Sequence, residues 1–524
     1  MVYAIKLLIP TLLVCGLAFL VLRASFAALL SKAEYQRAWV VLVSATLIAY
    51  LAHTQMIYVL ALGALALFAQ SYLGGGLRGK LAAYLLMIMV IPPLSWQLGG
   101  LGDINYILAL SGPRMFAIVL LVGPALTLLG DSTYKRERWV LLLDVAVFGY
   151  QLLKIALMAP HLTSTGILRM AVESSLDVLI PYYVFSRGIR SEADFRFILT
   201  HLVLGLALSG CVGFAEFFLR RLLYSELQYI YGIKWQLTMR LMRGDFLRVQ
   251  AATQQPIVLA LEMIFALGLW TYLRGLEWRR FPVLLVFAGF GCCLVFTLSR
   301  GPWLGGLCFA VALLGLRRLG AKTFVWLLLL LLAGAITAKA IGADEQVMGA
   351  LASLFGSSEQ DLNSINYRRQ LLDTALALLK QSPWLGVPDY ASQMQDLKQG
   401  EGIIDLVNSY IAIALDTGVI GLTIYMVPYV AVFRRLAMVP GISLRQSEDG
   451  GAGWFAATFL ALVIAFLLTI FTTSTFGTIQ FLLVLLLALP IARLTMQANS
   501  VDVLLDLPAV EPLRGLDGLP LVRR

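Results

Sequence analysis

Unbroken apolar runs of helix length constrain this chain more than anything else in it. Thr323 to Ile341 and Phe455 to Phe471 are two of many. Each is long enough, or nearly so, to cross a bilayer as a helix. In lipid, only helices and closed barrels satisfy their own backbone, and barrel strands would alternate in short segments. Hydrophobic residues make up 60% of the chain and charged residues only 13%, half the usual charged share. No single soluble core could absorb that much apolar sequence. The expected fold is therefore an all-α polytopic membrane protein of about 15 transmembrane helices.

The runs predict spans near 7–22, 38–52, 55–72, 80–96, 113–130, 139–158, 172–187, 197–219, 254–273, 281–299, 302–317, 322–341, 406–433, 453–471 and 475–496. Alternate connections then carry the positive charge: Arg23, Lys32 and Arg37; Arg78 and Lys80; Lys135, Arg136 and Arg138; Arg187, Arg190 and Arg196; Arg274, Arg279 and Arg280; Arg317, Arg318 and Lys322; Arg434, Arg435 and Arg445. All fall on one side, as positive-inside statistics require. This puts the C-terminal tail, 497–524, in the cytoplasm and the N-terminus outside. The net charge of +10 is thereby accounted for without nucleic acid, since no basic cluster has interleaved aromatics. The cysteines (15, 211, 292, 293, 308) lie in apolar runs and show no metal or redox spacing. The first run lacks a signal-peptide cleavage site.

The other side has two substantial loops, 220–253 and 342–405. In the second, Leu371, Leu372, Ala375, Leu378 and Leu379 recur at helical spacing before Pro383. That predicts an amphipathic helix lying against the membrane face or packed over a cavity.

Chemistry, if present, is expected on this outer face. Arg300 sits at a tight hairpin before Gly301-Pro302, where it is either an ordinary interfacial arginine or a ligand-binding one. Arg248 lies in a loop with Arg220, Arg221, Lys234, Arg240 and Arg243. The loop reads as a solvated basic segment or as a site for a phosphate or diphosphate, which the planar guanidinium fork suits. Arg368 and Arg369 open the amphipathic helix. Asp405, Asn408, Tyr410 and Asp416 stand where the long loop re-enters the membrane and could bind a sugar or accept a proton from a hydroxyl; capping and interfacial roles are the alternative. His53, His161 and His201 are scattered far from these segments. There is no phosphate-cradling glycine loop, no DxD, and no His-rich or Ser/His/Asp pattern, so no cofactor or metal is expected.

Four ordered segments resemble a known family. Thr297 to Gly305 (TLSRGPWLG) is similar to the serine-arginine-glycine signature of the O-antigen ligase and Wzy-type polymerase superfamily. Ser382 to Val387 (SPWLGV) resembles its PxxGxG segment. Asn408-Ser409-Tyr410 followed by Asp416 to Leu422 (DTGVIGL) resembles its HNxYL…E/DxGxxGL motif, and Arg248 ahead of Pro256 its arginine-before-proline segment. The set covers roughly 240–425.

The resemblance implies a GT-C-type helical bundle at the bacterial inner membrane, multi-pass, with a periplasmic active face. It implies transfer of glycans from an undecaprenyl-diphosphate carrier. Arg248, Arg300, Arg368 and Arg369 would hold the donor diphosphate, and Asn408, Tyr410 and Asp416 the acceptor sugar. Pathway partners would include a flippase and chain-length or export proteins, beside the membrane lipid itself. The expected organisation is 1–79 extra transmembrane helices, 80–341 core with the periplasmic loop 220–253, 342–405 long periplasmic loop, 406–496 C-terminal transmembrane helices, and the tail. One departure stands out: ligases carry a histidine where this chain has Val407. The nearest alternative bases are Asp405 and Glu401. Valine there favours a polymerase of lipid-linked repeat units over a ligase; a flippase is the third reading.

Overall fold

The computed structural model describes residues 2–100, 106–131, 137–224, 227–231, 240–275, 280–319, 359–397, 406–442, 451–475 and 477–505. It is a polytopic helical membrane protein. Among the described residues ten helices are long and apolar enough to cross a membrane, and Phe281–Phe296 is a shorter apolar one. The expected spans 38–52, 80–96 and 172–187 are helices that miss that standard. Lys32–Leu51 opens on charged residues. Gly76–Ile88 is short. Ser164–Ser174 and Ile180–Gly188 are joined by a π-helical turn at Ser175–Leu179, just ahead of Pro181. The expected span 322–341 lies outside the described residues.

The all-α expectation fails in two places among the described residues, the smaller being the pairing of Met242–Arg243 with Phe246–Leu247 in the 220–253 loop. After Ile88 the chain turns through Pro92-Pro93, which cannot continue a helix. It then makes an antiparallel hairpin, Ser95–Gly99 with Tyr106–Ser111. Periodicity missed it because the apolar run continues through the break.

Helix Glu192–Leu219 is buried along most of its length and Pro256–Arg274 along nearly all of it; both are central posts. Close approach is bought with small residues. A Cβ at Gly305 would meet Thr469 Oγ1 at 2.1 Å, and one at Gly268 the Leu462 side chain at 2.6 Å. The N-terminal helices are part of this bundle. Tyr50 donates to Leu223 O (2.9 Å), Tyr231 to Ala49 O (2.8 Å) and Ser25 to Pro282 O (2.6 Å).

Several charges inside the spans are paired; buried Glu262 meets only Ser209, at 3.5 Å, among the described residues. Arg114 donates to Asp177 and Glu173 at 2.8 and 2.7 Å. Arg187 pairs with Asp144, and Lys154 with Asp416 at 3.0 Å. Unpaired charge in low dielectric is too costly to persist.

Candidate active site

The site lies at the end of the bundle that carries 220–253 and 359–397. It begins with a strained turn. Helix Phe281–Phe296 ends, Leu298 adopts φ +49°, and Arg300 opens helix Arg300–Leu319. A left-handed leucine costs energy that the surroundings must supply. They do: Arg243 Nη1 donates to Leu298 O at 2.6 Å, and Trp303 Nε1 to Leu294 O at 3.0 Å.

Arg248 reaches the same turn. Its Nε donates to Thr297 O (3.2 Å) and its Nη2 to Ser299 Oγ (2.9 Å). No carboxylate among the described residues pairs with it. Burial, with the Arg243 and Arg368 cations nearby, lowers its pKa to about 10. Arg243 and Arg248, from one loop, thus meet at the turn before Arg300, which is exposed at its helix start, and Arg368 from the long outer loop is near enough to Arg248 to act on it electrostatically. A helix start attracts anions, and guanidinium groups gathered beside one could hold an anionic guest. Arg369 is exposed on the same helix as Arg368, Glu359–Gln381. That helix ends at Gln381 and buries Leu371, Ala375 and Leu378 against Met394, Leu406 and Leu415.

Sequence reasoning missed what holds Arg248. Glu216, fully buried, accepts backbone N–H bonds from Leu223, Gln250 and Ala251, each at 2.9 Å. It ties both ends of the arginine loop to one carboxylate. Ala251 and Gln254 take φ +48° and +62° under this constraint. In the sequence Glu216 was one of a few mid-span acids, with nothing to single it out.

The remaining motifs interlock. Val387 N donates to Leu415 O (2.7 Å) and Val419 N to Pro383 O (2.9 Å). Gly386 and Gly418 have φ +76° and +67°, and a Cβ on Gly418 would lie 2.1 Å from Trp384 O. Only glycine permits that approach. Gly418 also kinks helix Ser409–Ala437.

A segment outside all four motifs joins the parts. Ser409 Oγ donates to Thr473 O (2.7 Å), Ser474 Oγ to Leu406 O (2.9 Å) and Thr475 Oγ1 to Ser409 Oγ (2.5 Å). A Cβ on Gly301 would meet Thr472 Oγ1 at 2.6 Å. The arginine turn and the 408–422 motif therefore meet through 469–475.

Here a cavity of about 620 Å³ opens between helices Arg138–Met158, Ser409–Ala437 and Thr478–Leu505. Its lining mixes polar and charged groups, Gln255, Ser474, Thr475, Lys154 and Asp416, with apolar and aromatic ones, Val407, Tyr182, Pro428 and Leu487 among them. A lining of both kinds suits an amphiphile. Asn408 and Tyr410 are differently employed. Asn408 Oδ1 accepts from Tyr410 N and Ile411 N, capping the helix, and Tyr410 OH donates to Leu467 O at 2.7 Å. Glu401 and Asp405 lie outside the described residues. Among those described, no group of three metal-ligating side chains occurs.

Residues 283–426 match the family model described as O-antigen ligase. The resemblance to that superfamily is borne out over this stretch, which contains Arg300, Arg368, Val407 and Asp416 but not Arg248, Glu216 or 469–475. No curated protein matches the chain.

Proposed function

With that family as the premise, we propose that the protein is a membrane glycosyltransferase joining undecaprenyl-diphosphate-linked repeat units at the periplasmic face, as a polymerase of an exopolysaccharide or O-antigen. The bundle would be of GT-C type, with about 15 spans. One observation carries the reading. Arg243 and Arg248 meet at the turn that ends in Arg300, with Arg368 near Arg248, and 469–475 links this turn to a cavity with both polar and apolar lining. A diphosphate on a prenyl tail has that same polarity.

In the transfer, an acceptor hydroxyl oxygen bonds to the donor's anomeric carbon, and that carbon's bond to the diphosphate oxygen breaks. The bonding pair leaves on the diphosphate, which stays on its carrier. Negative charge therefore grows at the arginines during the step, so they stabilise the transition state more than the bound donor. The hydroxyl proton passes to a carboxylate. Asp416, on the cavity wall and held by Lys154 at 3.0 Å, is the described candidate beside Glu401 and Asp405.

The second reading, a ligase moving finished glycan to a lipid or protein acceptor, draws on the family description itself. Val407 in the cavity lining weighs against it, since valine cannot take a proton. A flippase is less favoured: of the few mid-span charges, Asp144, Lys154, Glu173 and Asp177 are committed to ion pairs and Glu216 to the backbone, which leaves Glu262 beside Ser209. The test is the carrier-linked glycan that accumulates in a deletion strain. Single repeats facing outward support the polymerase. Long polymer on the carrier supports the ligase and sinks the polymerase, and single repeats facing inward point to a flippase.

A further inference from the structure

At the opposite end of the bundle, on the face that the charge pattern assigns to the cytoplasm, lies a second, smaller pocket of about 150 Å³. That is the liquid volume of about five waters, room for one small headgroup. Glu34, Arg37, Gly74, Arg78, Phe197 and His201 line it. They come from three helix starts that the transfer site does not use.

His201 is the informative group. It is fully buried, its Nδ1 lies 2.8 Å from Phe197 O, and its Nε2 has no hydrogen-bond partner. A carbonyl only accepts, so in the neutral ring Nδ1 carries the proton and Nε2 presents a lone pair. A buried acceptor left unmade is costly. Among the described residues this one is unmet, so the pocket offers a guest an acceptor to fill. Glu34 supplies a second acceptor: its Oε2 is tied to Ser31 N and Oγ at 2.9 and 2.7 Å, while no bond occupies Oε1.

The opposite need is met by Arg37 and Arg78. Asp194 touches Arg78 through Nε at 3.5 Å, leaving its two terminal nitrogens to other partners. Stacking of the Arg78 guanidinium on Phe197 at 3.7 Å fixes the direction of its fork. Beside it Gly74, Gly75 and Gly76 all have positive φ, and helix Gly76–Ile88 starts from Gly75 with no side-chain cap. Its first N–H groups add positive potential. The lining thus sets one carboxylate, Glu34, and one neutral acceptor, His201, against two guanidinium groups, Arg37 and Arg78, so a guest with both an anionic and a hydrogen-donating end can meet each of them.

We propose that this pocket binds a phosphoethanolamine headgroup, its phosphate on Arg37 and Arg78 and its ammonium donating to His201 Nε2 and Glu34. The proposal is independent of the glycosyl-transfer reading. The source is an inner-leaflet phospholipid, because the pocket sits where three helices meet the basic face of the membrane.

The test is lipid retention by the purified full-length protein, measured by native mass spectrometry after reconstitution in nanodiscs of phosphatidylethanolamine, phosphatidylcholine or phosphatidylglycerol. Phosphatidylcholine is the decisive control: it keeps the phosphate but its quaternary ammonium has no N–H to donate. Wild-type protein should retain phosphatidylethanolamine at least tenfold better than either other lipid. His201→Phe, which stays buried but removes the lone pair, and the double variant Arg37→Gln/Arg78→Gln should each abolish the preference, with thermal unfolding reporting that they are folded. Equal retention of all three lipids, or a preference unchanged in His201→Phe, overturns the site and leaves a water-filled niche. Soluble phosphoethanolamine, added to delipidated protein, should give no shift in melting temperature; a shift that His201→Phe removes would overturn the membrane source.

Discussion

Arg248 holds its position through hydrogen bonds to one backbone carbonyl and one serine, with two other arginines nearby. Arg248 is partly buried beside like charge and bonded to the turn only through its side chain, so its removal should cost function more than folding. Arg248→Ala should reduce transfer by about a hundredfold or more, with normal protein in the membrane; polymer measured from a complemented deletion strain checks it. Arg248→Lys should not restore activity, because an ammonium cannot bridge two oxygens as the fork does. Glu216 behaves oppositely. Glu216→Ala orphans three buried N–H groups, each worth about 1–3 kcal/mol, and should free the 220–253 loop to limited proteolysis. Glu216→Gln, which keeps one acceptor oxygen, should fall between. Arg248 was legible in the sequence because a basic cluster on the less basic side is conspicuous. Glu216 was not, since a lone acid in an apolar run gives no sign of which backbone groups it will meet.

At the scale of elements, Gly386 and Gly418 lock the 382–387 turn onto the kink of helix Ser409–Ala437. Gly418→Ala combines a forbidden φ with a Cβ overlapping Trp384 O. It should uncouple the turn and lower the melting temperature by several degrees. Gly289→Ala, with no atom within 4 Å of the added Cβ, should leave it unchanged. The helices themselves were readable from apolar run length, and the end of Glu359–Gln381 from Pro383. Breaks inside runs were not: the hairpin after Pro92-Pro93 and the π turn at Ser175–Leu179 leave the hydropathy continuous while redirecting the backbone. The motif order likewise said that 297–305, 382–387 and 408–422 belong together. It could not say that 469–475 joins them, because a run of threonines and serines at a span end looks like any polar connection.

At the scale of the molecule, the N-terminal helices brace the arginine loop. Tyr50 is bonded to Leu223 and Tyr231 to Ala49. Deleting residues 1–51 should therefore lower thermal stability and transfer together, which separate assays of the purified protein would show; stability unchanged from the full chain would make these helices a passive appendage. Sequence reading set the first three spans apart as an addition, since contacts across some 170 residues leave no local trace.

The threonine-rich hinge at 469–475 has a further consequence, for the order in which the chain is made. The arginine turn is synthesised early and the 408–422 helix later, but neither is seated until Thr472 and Thr473 arrive, followed by helix Thr478–Leu505 as the last wall of the cavity. A nascent chain therefore has its arginines in the membrane well before it has a place to use them. Synthesis of 469–496, rather than insertion of the motifs, completes the candidate site. A chain ending at residue 451 should insert and remain silent, and residues 452–524 supplied as a separate fragment should return part of its activity.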